Sequence, residues 1–206
     1  MRSATLEIGE YYHIFNRGVD KRDVFMDDYD LDRFIESVEV FNRPKPVGSI
    51  FENRFEKDEK ELETLADLVC YCLNPNHFHF ILKQKSENGI QKFMQKLGTG
   101  YTNYFNEKHK RSGALFQGRY KAVHIESNEQ LLHTSVYVNL NNQLGSSTPK
   151  LSRSSWEEYM ALGVPSNLSL CEKDVILEQF KTMKEYKDFA NSSRELIIYQ
   201  KQNFVI

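Results

Sequence analysis

The chain has 206 residues, 40% of them hydrophobic and 27% charged, which is typical of one well-packed globular domain. The formal net charge of −2 gives, by itself, no hint of a polyanionic partner. Three cysteines are too few, and odd in number, for a disulfide framework, which predicts a reducing, cytoplasmic location. No segment is apolar enough for a signal peptide or a membrane span, so no membrane association is expected.

The first part of the chain predicts a strand, a helix and two further strands. Residues 11–17 are rich in aromatic and β-branched side chains, as expected of a strand. An aspartate N-cap followed by apolar residues at helical spacing predicts a helix, and a charged segment without apolar periodicity predicts an insertion. The expected bounds are about 28–42 for the helix, 44–64 for the insertion, and 66–73 and 77–84 for the two strands.

A second helix at about 88–108 and a fourth strand ending at Ile125 complete the order β-α-β-β-α-β. This order predicts an α+β, ferredoxin-like fold, in which an antiparallel sheet carries helices on one face. A third helix follows from a capping box at Ser127 to about Gln143, and another is expected at about 172–190. We therefore predict a main domain at 8–145 and a C-terminal helical extension at 146–206.

The segment from Lys92 to His124 is basic, with seven Lys and Arg residues against one acid. Combined with aromatic side chains, such a segment is typical of a surface that follows a phosphate backbone and stacks on bases. Charge alone favours the plainer interpretation, a solvated helix face with aromatic residues in the core. The aromatic residues of the segment are Tyr101, Tyr104, Phe105, Phe116 and Tyr120.

Two histidines, His77 and His79, stand at alternate positions of a predicted central strand. Residues i and i+2 of a strand project from the same face, so the two imidazoles are expected about 6–7 Å apart along the backbone. Burying two imidazoles costs free energy unless their nitrogens have bonding partners, and a divalent metal ion is the usual partner of such a pair. A bare H-x-H is a weak signal, and two hydrogen-bonded histidines are the alternative. The remaining histidines, His13 among them, have no partner at ligand spacing and receive no predicted role.

The third helix carries Tyr137 and Asn141, which are four residues apart and therefore neighbours on one helix surface. If this helix packs beside the histidine face, Asn141 can offer its amide oxygen as a third ligand. Two imidazoles and an amide oxygen suit Mg²⁺ or Mn²⁺ better than a closed zinc site. The alternative for Tyr137 is a buried tyrosine with a satisfied hydroxyl.

Four segments together resemble the HUH single-strand DNA endonucleases of the single-tyrosine transposase type, in particular the REP-associated tyrosine transposases. They occur in the family's order over about residues 10–160, and one departure is Asn142, where relatives usually have proline. The resemblance implies that His77 and His79 bind the metal with Asn141, and that Tyr137 is the nucleophile. The segments are Tyr12-His-Ile-Phe-Asn-Arg-Gly18, Asn74-Pro-Asn-His-Phe-His79, Gly113-Ala-Leu-Phe-Gln-Gly-Arg-Tyr-Lys121 and Tyr137-Val-Asn-Leu-Asn141.

The chemistry expected from this resemblance is transesterification of single-stranded or hairpin DNA. Tyr137 would attack a phosphate, forming a 5′-phosphotyrosine link and a free 3′ hydroxyl, with Mg²⁺ or Mn²⁺ bound nearby. Arg17, Arg119 and Lys121 are predicted phosphate contacts and Tyr120 a stacking residue, with surface cations and core packing as the alternatives.

Two other functions remain open from the sequence. The chain could recognise a hairpin or single strand without cutting it, or it could be a metal-dependent phosphodiesterase that uses water. A lasting covalent adduct distinguishes the transposase from both. Relatives differ in oligomeric state, so a monomer and a homodimer both stay open.

Overall fold

The computed structural model of the chain describes residues 6–46, 48, 50, 63–145, 149–160 and 169–203. Within these residues, five strands form one antiparallel sheet. The strands are β1 (Tyr11–Arg17), β2 (Ala66–Asn74), β3 (His77–Gln84), β4 (Lys121–Ile125) and β5 (Arg153–Ser154). Their order across the sheet is β4-β1-β3-β2-β5.

Two of the long helices begin at residues whose side chains cap the helix N-terminus. Asp27 accepts a hydrogen bond from the backbone N–H of Asp30 and Ser127 one from Gln130, which are N-caps of the expected kind. Short 3₁₀ helices occupy Val19–Lys21 and Asn141–Gln143. The α-helices are α1 (Asp28–Phe41), α2 (Gly89–Lys108), α3 (Asn128–Asn139), α4 (Trp156–Met160), α5 (Asp174–Leu177) and α6 (Met183–Asn203).

The predicted α+β, ferredoxin-like fold is confirmed. The four long strands follow the order 4-1-3-2, and α1 and α2 of the β-α-β-β-α-β unit pack on one face. The Phe34 ring of α1 lies 5.4 Å from that of Phe78 on β3 and 4.7 Å from that of Tyr101 on α2. Burying these aromatic rings contributes to the hydrophobic stabilisation of this layer.

Helix α3 packs on the opposite face of the sheet. Because side chains alternate along β3, Phe78 points toward α1 while His77 and His79 point toward α3. A buried polar network holds α3 in place: Ser155 donates to Asn139 Oδ1 at 2.5 Å and accepts from the Tyr71 N–H of β2 at 2.8 Å. Leaving such groups unpaired would be costly, so the network orients this helix firmly.

The C-terminal segment joins the same core instead of standing apart. Strand β5 pairs with β2, and Tyr159 of α4 donates a hydrogen bond to the Val69 carbonyl. Tyr159, Ile176 and Tyr186 belong to the same hydrophobic cluster as the sheet residues. Most of the predicted insertion, residues 47, 49 and 51–62, lies outside the described residues.

The expected helix at 172–190 is wrong in its bounds. The chain forms the short helix α5 and then starts α6, which continues to Asn203. Thr182 accepts from the Glu185 N–H, and Glu185 accepts in return from the Lys181 N–H, which is a capping arrangement that favours a new helix start. None of the helices within the described ranges combines the length and apolar content needed to cross a bilayer.

Candidate active site

The two histidines of β3 stand together on the face covered by α3. The ring centroids of His77 and His79 are 5.1 Å apart and the rings are perpendicular. His79 is buried and His77 is partly buried. The strand geometry thus produces the side-by-side arrangement expected from the H-x-H spacing.

One nitrogen of His77 is taken by the preceding residue. Its Nδ1 lies 2.6 Å from Asn76 Oδ1, while the Asn76 amide nitrogen donates to the Lys21 carbonyl at 3.1 Å. An amide oxygen only accepts, so the proton of His77 resides on Nδ1. The Nε2 atom of His77 therefore keeps its lone pair for a ligand.

One nitrogen of His79 is likewise taken, by a histidine on the neighbouring strand. His13 Nε2 of β1 lies 2.9 Å from His79 Nδ1, and the two rings are nearly parallel. This contact leaves Nε2 of His79 outside the pair. Burial lowers the pKa of His77, lowers that of His79 well below its ordinary value, and lowers that of His13 to about 4. All three imidazoles are therefore neutral at physiological pH, which is the form that binds metals.

The amide oxygen of Asn141 faces the Nε2 atom of His77. Its Oδ1 is 3.3 Å from His77 Nε2. Two ligands at right angles around Mg²⁺ are separated by about 3 Å, so this pair fits one cation with little movement. The amide nitrogen of Asn74 lies 2.9 Å from Asn141 Oδ1 and 3.1 Å from His77 Nε2, and it holds the two donor atoms together.

The donor set is poor in anionic ligands. Among the described residues, no group of three His, Cys, Asp or Glu side chains is arranged to hold a metal ion. Cys72 Sγ is 3.7 Å from the Asn74 amide nitrogen, but burial raises the pKa of its thiol to about 12, so it stays protonated. Two imidazoles and an amide oxygen fit a cation that keeps several positions open for water or substrate, as Mg²⁺ and Mn²⁺ do.

The ring of Tyr137, on α3, lies edge-on to the rings of His79 and His13. The ring centroid is 5.6 Å from that of His79 and 5.8 Å from that of His13. Burial raises the pKa of Tyr137, and a hydrogen bond with Asn141 partly opposes the shift. Lys201, near the end of α6, lies 5.6 Å from the ring centroid. The hydroxyl is therefore protonated at neutral pH and needs a polarised target for attack.

Cations line one side of the site. Arg17, Lys21 and Lys121 border a cavity of about 570 Å³ together with His77 and His79. Lys121 is placed there by strand register, because it pairs with Phe15 of β1, and Phe15 pairs with His79. The structure thus brings Arg17 and Lys121 to the histidines.

The other two predicted contacts, Arg119 and Tyr120, line a separate cavity. They lie in the same loop as Gln117, which accepts a hydrogen bond from Arg17 Nε at 2.6 Å. Tyr101 is remote from the histidines, since its hydroxyl donates to the Val24 carbonyl within the helix-covered core. Tyr137 is therefore the tyrosine that adjoins the histidines on this face.

Several residues of the site carried no predicted role. His13 has no predicted role because its partner, His79, lies on the neighbouring strand and not at a nearby sequence position. The two asparagines of the Asn74-Pro-Asn76 turn contact His77. Their position just before His77 is the sequence signal that indicates side chains able to orient an imidazole. Lys21 and Lys201 carry no local signal that separates them from other surface cations.

The chain is similar to known proteins in sequence and in fold. The family model described as "Transposase IS200 like" matches residues 10–141, well over half of the chain. A solved structure of a REP-associated tyrosine transposase bound to a REP hairpin is similar with a TM-score of 0.46 and 14% sequence identity, covering 69% of this chain and 72% of that chain. No curated protein matches the chain.

Proposed function

The chain belongs to the IS200-like transposase family, and from this premise we propose that it cuts and rejoins single-stranded or hairpin DNA through a covalent link to Tyr137. The observation that carries the proposal is the meeting of Tyr137 with His77, His79 and Asn141 on one face of the sheet. These side chains come from β3, α3 and the 3₁₀ helix that follows α3. Such a convergence of a nucleophile with metal donors is typical of phosphoryl transfer.

The metal would be held by Nε2 of His77, Nε2 of His79 and Oδ1 of Asn141. A bound Mg²⁺ or Mn²⁺ supplies Lewis-acid polarisation of a phosphate oxygen and neutralises developing charge. His13 and Asn76 keep the two imidazole rings oriented through their Nδ1 atoms. The amide nitrogen of Asn74 holds His77 Nε2 and Asn141 Oδ1 close together, and a bound cation would replace its hydrogen bonds to them.

Tyr137 acts as the nucleophile in this proposal. Its oxygen forms a bond to the phosphorus of the substrate, and the bond between phosphorus and the 3′ oxygen breaks. The tyrosine hydroxyl loses its proton and the departing 3′ oxygen gains one, so the step is balanced. The number of phosphoester bonds is unchanged, and a second 3′ hydroxyl can therefore reverse the step and join strands.

The cations beside the histidines hold the flanking phosphates. Arg17, Lys21 and Lys121 line the cavity that opens onto His77 and His79. Arg17 is braced by Gln117, so its guanidinium is partly ordered before DNA binds. These contacts position the backbone without reading its sequence.

The test is a denaturing-gel assay of the purified protein with labelled single-stranded DNA from the repeats that flank its own gene. Reactions contain Mn²⁺, Mg²⁺ or EDTA, and compare the protein with Tyr137→Phe and with Tyr29→Phe, which removes an exposed hydroxyl elsewhere. We expect an SDS-resistant adduct that requires metal, persists in Tyr29→Phe and disappears in Tyr137→Phe. Cleavage without an adduct would indicate a water-using phosphodiesterase, and binding without cleavage a recognition protein.

A further inference from the structure

A second cavity, of about 640 Å³, opens between helix α2 and the loop before β4. It lies on the helix-covered side of the sheet, because Phe34 and Phe78 are among the residues that line it. Asn16 lines both this cavity and the one that holds the histidines. The two cavities therefore adjoin at the C-terminal end of β1, and one strand of DNA is long enough to enter both.

One wall of this second cavity, formed by helix α2, carries uncharged side chains that can form hydrogen bonds. Gln91, Gln95, Thr102 and Asn103 of α2 line it, and none of their side chains forms a hydrogen bond with the described part of the chain. Amide and hydroxyl groups of this kind pair with the edges of nucleobases. The histidine cavity differs, since its lining carries the cations that suit phosphates.

Aromatic and cationic side chains of the loop complete the lining. Phe116 is buried, Tyr120 is half-buried and Arg119 is exposed. Aromatic rings stack on bases regardless of sequence, and an arginine at the rim suits the phosphate attached to such a base. The volume lies within the range of cavities that hold small organic groups, roughly 300–1,000 Å³.

Gly98 forms a bare patch in this lining. It sits within α2, where glycine weakens a helix, yet a Cβ added at Gly98 would meet no atom within 4 Å. Gly100 differs, because a Cβ there would lie 2.4 Å from the Phe41 ring. Close packing against Phe41 therefore explains why position 100 is a glycine, whereas no neighbouring atom requires a glycine at position 98. The missing side chain at Gly98 leaves room for a flat ring against the backbone of α2.

We propose that this cavity binds a nucleobase of the same single strand whose phosphates occupy the histidine cavity, an inference that rests on the proposed function. The base lies against Gly98, its edge is contacted by Gln91 and Gln95, and Tyr120 stacks on its face. Because Asn16 borders both cavities, the base belongs to a nucleotide near the cleaved bond. The cavity therefore contributes to choosing where the strand is cut.

The test fills the cavity and measures DNA binding without chemistry. Fluorescence anisotropy in EDTA compares the protein and Gly98→Phe with two labelled oligonucleotides of about a dozen nucleotides, one with bases and one built from stable abasic sugars. Loss of one stacked base is expected to weaken binding of the base-bearing strand by about 10-fold in Gly98→Phe. Binding of the abasic strand is expected to be unchanged.

Two further variants keep the result decisive. Glu107→Phe adds the same bulk at an exposed position of α2 outside the cavity and should bind both strands normally. Gln95→Ala removes an exposed side chain, which a folded protein tolerates, and should weaken only the base-bearing strand. Equal binding by Gly98→Phe and the unmodified protein, or an equal loss for both strands, would overturn the proposal.

The outcome is separable from that of the proposed function. The anisotropy measurements are made in EDTA and require neither a metal ion nor a reaction at Tyr137. If the unmodified protein forms no adduct, the cleavage proposal fails, while the anisotropy comparison still decides whether the cavity holds a base.

Discussion

His13 Nε2 lies 2.9 Å from His79 Nδ1, although 66 residues separate the two along the chain. The contact joins β1 to β3 on the face that carries Tyr137. It restrains the orientation of the His79 ring and leaves the Nε2 atom of His79 outside the pair, as the proposed metal site requires. A side chain in this role is a positioning residue and is expected to affect metal affinity before anything else.

His13→Phe is therefore expected to weaken Mn²⁺ binding by about 10-fold, because the ring is kept but the hydrogen bond is lost. Free Mn²⁺ is counted by electron paramagnetic resonance during titration of the purified protein. His124→Phe is the control, since His124 is exposed and pairs with Glu10. His13→Gln, which can still hydrogen-bond to His79, should recover part of the affinity. An affinity for Mn²⁺ that does not change in His13→Phe would refute the positioning role.

Lys121→Gln is expected to weaken single-stranded DNA binding and to reduce its salt dependence. Removing one phosphate contact should lower the slope of log affinity against log salt by about 0.7. Anisotropy measured over a series of NaCl concentrations gives that slope. Lys92→Gln removes the same charge from an exposed position that lines neither cavity, and its slope should match that of the unmodified protein. Matching slopes for Lys121→Gln and Lys92→Gln would contradict the assignment.

Asp27→Asn tests the ion pair that ties the start of α1 to the end of α2. Lys108 donates to both carboxylate oxygens of Asp27, and this hydrogen bond holds the pKa of Asp27 below its ordinary value. A lowered folded pKa contributes stability at neutral pH and loses it as the pH falls through that pKa. Because the carboxylate is 42% exposed and screened by solvent, the expected loss of unfolding free energy is only about 0.5–1 kcal/mol.

Asparagine keeps the N-cap of α1, so Asp27→Asn removes the charge alone. Urea unfolding is measured from neutral pH downward for both proteins. The difference in unfolding free energy should shrink as the pH falls toward and below the ordinary pKa of aspartate. A difference that stays constant with pH would show that the pair contributes nothing through its charge.

The two glycines of α2 should respond to alanine in opposite ways. Gly98→Ala is expected to raise the free energy of unfolding by about 0.5–1 kcal/mol, since the new Cβ meets open space and the helix gains propensity. Gly100→Ala is expected to lower it by on the order of 1 kcal/mol, because the Cβ would press on the Phe41 ring. Thermal unfolding of both variants makes the comparison, and stabilisation by Gly100→Ala would contradict the packing at Phe41.

The local structure and part of the candidate site could be predicted from sequence patterns. The β-α-β-β-α-β order follows from apolar periodicity, and the shared face of His77 and His79 follows from the two-residue repeat of a strand. Tyr137 and Asn141 were expected to be neighbours because four residues separate them, and both lie beside the histidine pair. The start of α6 was missed although its capping residues, Thr182 and Glu185, are visible in the sequence.

Residues that reach the site from distant parts of the chain could not be predicted, because strand pairing and helix packing bring them there. His13 reaches His79 through the pairing of β1 with β3, and Lys121 arrives through the pairing of β4 with β1. Lys201 reaches Tyr137 because α6 packs on α3. Strand register and helix packing depend on burial summed over the whole core, whereas spacing along the chain reports only neighbours within a turn or a strand. The same dependence separates Lys121 from Arg119, two cations that are two positions apart in sequence but line different cavities.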